Sequence, residues 1–126
     1  MITNTYGSGV IMTHGNKVLL LEGANTGIWS FPKGHPEVED CSSALRTAIR
    51  ETWEETGFIY GVDYHIIGQA PRIGRRVYWD ATTKMNKEPV LRSREHRSWR
   101  WVSPEEIMTL QVNSDVKKWV SRVVSV

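Results

Sequence analysis

The sequence predicts an α/β fold in which a mixed β-sheet carries helices on its faces. Short apolar or alternating segments, typical of strands, recur along the chain. A segment from about residue 42 to 56 has the three- and four-residue apolar spacing of a helix, and two more helical segments follow the last strand. The chain has 126 residues, 40% hydrophobic and 24% charged, and is expected to form a single domain over residues 1–126.

The first strands form a predicted hairpin. Residues 9–12 and 17–21 are apolar, and the turn-forming residues 14–16 separate them. A polar loop follows, and residues 28–31 are then predicted to be a short strand that Pro32 ends.

The central helix is predicted over residues 42–56, after a loop at residues 33–40. Gly57 is suited to end it. Its predicted apolar face consists of Leu45, Ala48, Ile49 and Trp53.

Three strands and two helices are predicted after the central helix. The strands are residues 64–69, 76–82 and 97–102, where Trp79 and Trp101 alternate with polar residues and are expected to be core residues. Ser103, Pro104 and Glu106 form a capping box at the start of the second helix, and the third covers residues 114–124.

Composition excludes several classes of function. No apolar segment approaches the length of a membrane helix, and no signal peptide is visible, which favours a cytoplasmic location. The single cysteine, Cys41, permits no internal disulfide. The net charge of +2 makes nucleic-acid binding by bulk electrostatics an unfavoured interpretation, and no obligate protein partner is evident.

The informative chemistry lies near the end of the central helix. Glu51, Glu54 and Glu55 are spaced to share one helix face, where their like charges repel. A hard divalent cation such as Mg²⁺ would offset that repulsion. The alternative is a solvated helix whose acids pair with Arg50 and Arg46, although acids so near a helix C-terminus oppose the macrodipole.

The surrounding segment resembles the signature of the Nudix family, G-x5-E-x7-R-E-U-x-E-E-x-G-U, where U is apolar. The matching positions are Gly34, Arg50, Glu51, Glu54, Glu55, Gly57 and Phe58. The interval from Gly34 to Arg50 is two residues longer than the signature, so Glu39 or Asp40 must replace the middle Glu. Thr52 occupies an apolar position.

A narrower resemblance, to the asymmetrical diadenosine tetraphosphate hydrolases of this family, covers nearly the whole chain. It rests on residues 31–35, 47–52, 77–79 and 95–101. The resemblance implies an α/β/α sandwich, Mg²⁺ (with Mn²⁺ as a substitute) held by the helix acids, and a distal ligand for which Glu95 is the candidate. It also implies that Arg50 pairs with the middle acid. The Gly34 carbonyl is a further candidate ligand, because no side chain keeps a metal away from it.

The expected reaction is attack of water on a phosphorus of a nucleoside polyphosphate, with Mg²⁺ offsetting the developing charge. Glu54 is the favoured general base, and Glu51 is the alternative. The candidate substrate contacts are Lys33, His35, Arg75 (or its neighbour Arg76) and His96. The family resemblance adds Tyr78, which would stack on the adenine.

Two alternatives stay open. Capped mRNA, diphosphoinositol polyphosphates and ADP-ribose also suit a site of this family, because loops rather than the signature select the substrate. The chain would otherwise be a catalytically silent module that binds a nucleotide or a protein.

Overall fold

The computed structural model describes residues 7–83 and 87–124. Within them, one mixed sheet comprises β1 (Ser8–His14), β2 (Lys17–Gly23), β3 (Trp29–Ser30), β4 (Lys33–Gly34), β5 (His65–Gln69), β6 (Val77–Thr82) and β7 (His96–Val102). The helices are α1 (Ala44–Thr56), α2 (Pro104–Ile107) and α3 (Ser114–Val124). The predicted α/β class is confirmed, and so is the mixed sheet.

The topology brings several chain segments to one end of the sheet. The main strand order is β3-β2-β1-β6-β5, with β4 paired to β1 and β7 paired to β2. β1 and β6 are parallel, whereas the other pairs are antiparallel. Gly34 pairs with Ser8, Val77 lies beside Ser8, and His96 pairs with Gly23. β4 and the starts of β6 and β7 therefore share the end opposite the β1–β2 turn.

Both faces of the sheet are covered, as the alternation along β2 shows. Leu19 and Leu21 pack in the cluster that contains Ala48 of α1, whereas Val18 and Leu20 pack with residues of α2 and α3. All four of these side chains are buried, and each fully buried aliphatic side chain contributes about 2 kcal/mol. The result is a three-layer sandwich in which, of the described helices, α1 covers one face and α2 and α3 cover the other.

Local signals set the limits of α1. The Ser43 hydroxyl accepts a hydrogen bond from the Arg46 N–H at 3.2 Å, so the helix begins two residues later than predicted. At the other end, Gly57 adopts a left-handed φ of 76° and its N–H donates to the Trp53 carbonyl at 2.8 Å. The predicted stop at Gly57 is confirmed.

The predicted apolar face of α1 is partly wrong. Ala48, Thr52 and Thr56 are the buried i, i+4 row, whereas Trp53 remains 41% exposed. Trp53 follows Thr52 by one position, about 100° around the helix, and this rotation turns its ring away from the sheet.

Two other elements differ from the sequence-based expectations. The loop predicted at residues 33–40 contains β4 and a 3₁₀ turn (Val38–Asp40). The helix after Ser103 has the predicted capping box but is only one turn long. Across the described residues, no helix is long and apolar enough to span a membrane.

Candidate active site

A buried ion pair ties the loop after β4 to α1. Arg50 Nε donates to Asp40 Oδ1 at 2.9 Å, and Nη2 donates to Oδ2 at 2.9 Å. Thr47 Oγ1 and the Glu37 N–H also donate to Oδ2, both at 2.8 Å. The Arg50 guanidinium holds the pKa of Asp40 well below its usual range, and Asp40 in turn raises the pKa of Arg50. The aspartate is therefore ionised, and it fixes the arginine by a two-pronged contact.

This contact identifies the acid that the sequence left ambiguous. Asp40 is buried and carries the pair with Arg50, whereas Glu39 is exposed. Asp40 also stands six residues after Gly34, the interval that the signature gives its middle Glu. That interval, counted from Gly34 alone, is the signal in the sequence that could have distinguished Asp40 from Glu39.

The two departures from the signature leave the acidic face of the helix intact. Cys41 and Ser42, with φ of 53° and 61°, form a left-handed turn between the 3₁₀ turn and α1, and the lengthened interval includes this turn. Thr52 is fully buried, so it occupies the sheet-facing position that an apolar residue would fill.

Arg50 also joins two of the three glutamates. Its Nη1 donates to Glu51 Oε2 at 3.0 Å and to Glu54 Oε1 at 3.1 Å. The Glu51 side chain is 13% exposed and the Glu54 side chain 41%, so Glu54 is the member of the pair that faces solvent. One guanidinium thus gathers carboxylates that would otherwise repel each other.

Glu55 is the buried member of the cluster. Its side chain is 3% exposed, and Oε1 accepts a hydrogen bond from the Lys33 backbone N–H at 3.2 Å. Burial, followed by the negative charge of Glu51, raises the pKa of Glu55 to about 9. Burial also raises the pKa of Glu51, although Arg50 opposes that shift. A buried acid with such a pKa is protonated at neutral pH until a positive charge compensates it.

The start of β7 lies against Glu55. His96 Nδ1 is 3.9 Å from Glu55 Oε1, it is buried, and among the described residues it has no hydrogen-bond partner. Burial lowers the pKa of His96, which favours the neutral ring. The exposed Glu95 comes directly before it, with its carbonyl accepting from the Ala24 N–H at 2.8 Å. Its negative charge contributes to the raised pKa of Glu55.

The potential ligands at this site are oxygen atoms, the type of donor that a hard divalent cation prefers. Gly34 packs so closely on Glu51 that a Cβ there would overlap the carboxylate, and oxygen atoms dominate the site. In the described parts of the chain, however, no three His, Cys, Asp or Glu side chains already stand in a ligating group. Arg50 engages Glu51 and Glu54 instead, so a cation must draw these two carboxylates away from the guanidinium.

The predicted substrate contacts do not all come together. Lys33 is half-buried beside Glu55, and the exposed His35 accepts a hydrogen bond from Arg50 Nη2 at its carbonyl at 2.9 Å. Arg75 is exposed in the turn before β6. The first two lie at the acidic cluster, whereas Arg75 lies on a neighbouring loop at the same end of the sheet.

The structure contradicts stacking of Tyr78 on a base. Tyr78 is fully buried, and its ring packs edge-on against Phe31 at 5.3 Å between centroids. Its hydroxyl donates to Asp115 Oδ2 at 2.6 Å, and Arg76 Nη1 pairs with the same oxygen at 3.1 Å. Tyr78 therefore joins β6 to α3 inside the core, where no base can reach either face of its ring.

Comparisons with known proteins agree with this geometry. A family model described as the NUDIX domain matches residues 3–123. The asymmetrical bis(5′-nucleosyl)-tetraphosphatase of Sus scrofa is 38% identical over 109 residues, covering 79% of this chain and 72% of that protein. An RNA pyrophosphohydrolase of Sphingopyxis alaskensis is 29% identical over 106 residues, covering 67% of this chain and 66% of that protein. The crystal structure of a C. elegans Ap4A hydrolase binary complex has a TM-score of 0.77 at 21% identity, covering 94% of this chain and 96% of that one.

Proposed function

This chain belongs to the Nudix family and is a phosphoanhydride hydrolase, and we propose that it cleaves dinucleoside polyphosphates such as diadenosine tetraphosphate with the help of Mg²⁺. The observation that carries the proposal is the cluster of Glu51, Glu54 and Glu55, gathered by an arginine that Asp40 fixes. Likeness to the tetraphosphatase of Sus scrofa supports the choice of substrate.

The residues proposed to hold the cation are Glu51, Glu54 and Glu55, with the Gly34 carbonyl and Glu95 completing the set. All supply oxygen, the ligand that Mg²⁺ prefers, and Mn²⁺ accepts the same donors. When bound, the cation supplies positive charge that offsets the charge developing on the phosphate oxygens. Glu55 contributes from a buried position, where a carboxylate interacts strongly with any nearby charge.

Glu54 is proposed to take the proton from the attacking water, with Glu51 as the alternative. Glu54 is the more exposed of the two carboxylates on Arg50 and is the one that a water reaches more directly. The water oxygen forms a bond to phosphorus, the bond from phosphorus to the bridging oxygen breaks, and the departing nucleotide keeps that oxygen. Arg50 is the third residue of the proposed catalytic set, and its role there is to orient the carboxylates of Glu51 and Glu54.

The polyphosphate is proposed to lie across the end of the sheet that carries β4 and the starts of β6 and β7. Lys33, His35, Arg75 and His96 lie at that end, and their side chains supply the cationic or hydrogen-bonding groups that phosphate oxygens need. Tyr78 is not part of this set, because it is buried.

A substrate panel tests the proposal. Purified protein with Mg²⁺ is given diadenosine tetraphosphate, capped RNA, 5′-triphosphorylated RNA, a diphosphoinositol polyphosphate and ADP-ribose, and Glu54→Gln serves as the inactive control. We expect the dinucleotide to be turned over fastest and to give one ATP and one AMP. Likeness to the RNA pyrophosphohydrolase makes 5′-end hydrolysis the second candidate. Faster turnover of either RNA would establish that candidate, and no turnover of any substrate would favour a silent binding module.

A further inference from the structure

An irregular segment, residues 87–95, crosses the C-terminal end of α1 on its way to the acidic cluster. The Val90 N–H donates to the Thr56 carbonyl at 2.9 Å, where α1 ends. Further along, the Arg92 guanidinium carbon lies 4.2 Å from the centroid of the Trp53 ring. The segment ends at Glu95, directly before the histidine that faces Glu55.

The Arg92–Trp53 stack is a surface contact between this segment and α1. Trp53 is 41% exposed, and Arg92 is exposed as well, so neither side chain belongs to the core. A planar guanidinium over an indole face is a favourable cation–π arrangement. Among the described side-chain contacts that residues 87–95 make with α1, it lies nearest to Glu95 along the chain, while the following His96 of β7 faces Glu55.

We infer that Arg92 and Trp53 are positioning residues that hold the 87–95 segment against α1, so that Glu95 reaches the cation site. The inference rests on the proposed function, in which Glu95 is a ligand. As a positioning residue, Arg92 touches neither substrate nor cation and acts only through Glu95. If the segment detaches from α1 part of the time, the apparent affinity of the site for the cation falls in proportion to the fraction of molecules in which the segment is attached.

The direction in which cation affinity changes when Arg92 is removed distinguishes a positioning role from a purely electrostatic one. Arg92 carries a positive charge near a cation site, so removing that charge should tighten cation binding if the charge alone matters. Loss of a positioning contact weakens binding instead. Arg94 offers a matched control, because it is an exposed arginine of the same segment and is closer to Glu95 in sequence.

The experiment is a double-mutant cycle read by isothermal calorimetry with Mn²⁺ alone, without substrate. The variants are Arg92→Ala, Arg94→Ala, Glu95→Gln and the Arg92→Ala/Glu95→Gln pair, and thermal unfolding checks that each is folded. We expect Arg92→Ala to weaken Mn²⁺ binding about two- to fivefold, the factor that an exposed cation–π contact supplies. Arg94→Ala should leave binding unchanged or slightly tighter. In the Glu95→Gln background, Arg92→Ala should have no further effect. Trp53→Leu should reproduce the result from the other side of the stack.

The other outcomes overturn either the positioning role of Arg92 or the proposed role of Glu95 as a ligand. If Glu95→Gln weakens binding but Arg92→Ala behaves like Arg94→Ala, the positioning inference is wrong and the proposed ligand stands. If Arg92→Ala lowers Mn²⁺ affinity by the same factor in the wild-type and the Glu95→Gln proteins, Arg92 acts by a route other than Glu95. If Glu95→Gln leaves Mn²⁺ affinity unchanged, Glu95 is not a ligand and the inference is lost with it.

Discussion

Replacing Asp40 by asparagine should destabilise the protein severely while keeping the shape of the side chain. The Asp40 side chain is 3% exposed, and it accepts two hydrogen bonds from Arg50, one from Thr47 and one from the Glu37 N–H. Removing one charge of a buried pair leaves the other uncompensated, which costs about 3 kcal/mol or more. With a urea m-value of about 1.5 kcal/mol/M, the unfolding midpoint should fall by about 2 M.

The pH dependence of this loss follows from the direction of the pKa shift. The pKa of folded Asp40 lies below the ordinary aspartate value of about 4. Its stabilisation is therefore fully present above about pH 4 and is lost as the pH falls from there through the depressed folded pKa. The gap in unfolding free energy between wild type and Asp40→Asn should be constant near neutrality and should narrow in acid.

Urea denaturation followed by circular dichroism measures both effects. Glu39→Gln is the matched control, because Glu39 is an exposed acid next to Asp40 and was the other candidate for the pair with Arg50. We expect Glu39→Gln to change the free energy of unfolding by less than about 0.5 kcal/mol. Equal effects of the two substitutions, or a gap in unfolding free energy that does not narrow in acid, would show that ionised Asp40 does not stabilise the fold through its pair with Arg50.

Four further predictions concern the site and its support. Glu54→Gln should lower kcat by about 10²- to 10⁴-fold with little change in stability, and steady-state kinetics showing a smaller loss would move the base elsewhere. Binding of Mg²⁺ should release about one proton near neutral pH, because Glu55 has a pKa of about 9 in the metal-free protein and must ionise as a ligand. Calorimetry in two buffers measures this, and release that persists in Glu55→Gln would contradict it. Gly34→Ala should weaken Mg²⁺ binding, because the new methyl overlaps a carboxylate of the site; unchanged affinity in the same titration would show that the site relaxes freely. Tyr78→Phe should lower the free energy of unfolding by about 1–3 kcal/mol in urea denaturation, because the buried carboxylate of Asp115 loses a hydrogen-bond donor. The same substitution should leave KM unchanged, and a large rise in KM would restore Tyr78 as a substrate contact.

Local signals in the sequence predicted most of the framework. The hairpin, the stop of α1 at Gly57 and the capping box at Ser103 depend on neighbouring residues, and each lies where the sequence placed it. The strand β4 was missed, because two residues give no periodic signal and Gly34 pairs with the distant Ser8.

The two aromatic residues that the sequence misplaces, Tyr78 and Trp53, differ from expectation for separate physical reasons. Alternation along β6 assigns Tyr78 and Val77 to opposite faces, but both faces of this sheet are covered, so alternation cannot tell which side chain meets solvent. Trp53 is apolar and suitably spaced, yet it lies one position beyond the buried row of α1. Its partner Arg92 is 39 residues away in the sequence, beyond the reach of any local pattern.

The proposed function depends most on the glutamates at the end of α1 holding a divalent cation beside Gly34. Anomalous diffraction from crystals soaked in Mn²⁺ and a non-hydrolysable dinucleoside tetraphosphate tests it most directly. We expect a manganese peak bounded by Glu51, Glu54 and Glu55, with Glu51 and Glu54 turned away from Arg50. A peak elsewhere, or a saturated crystal in which both carboxylates still contact the guanidinium, would contradict it.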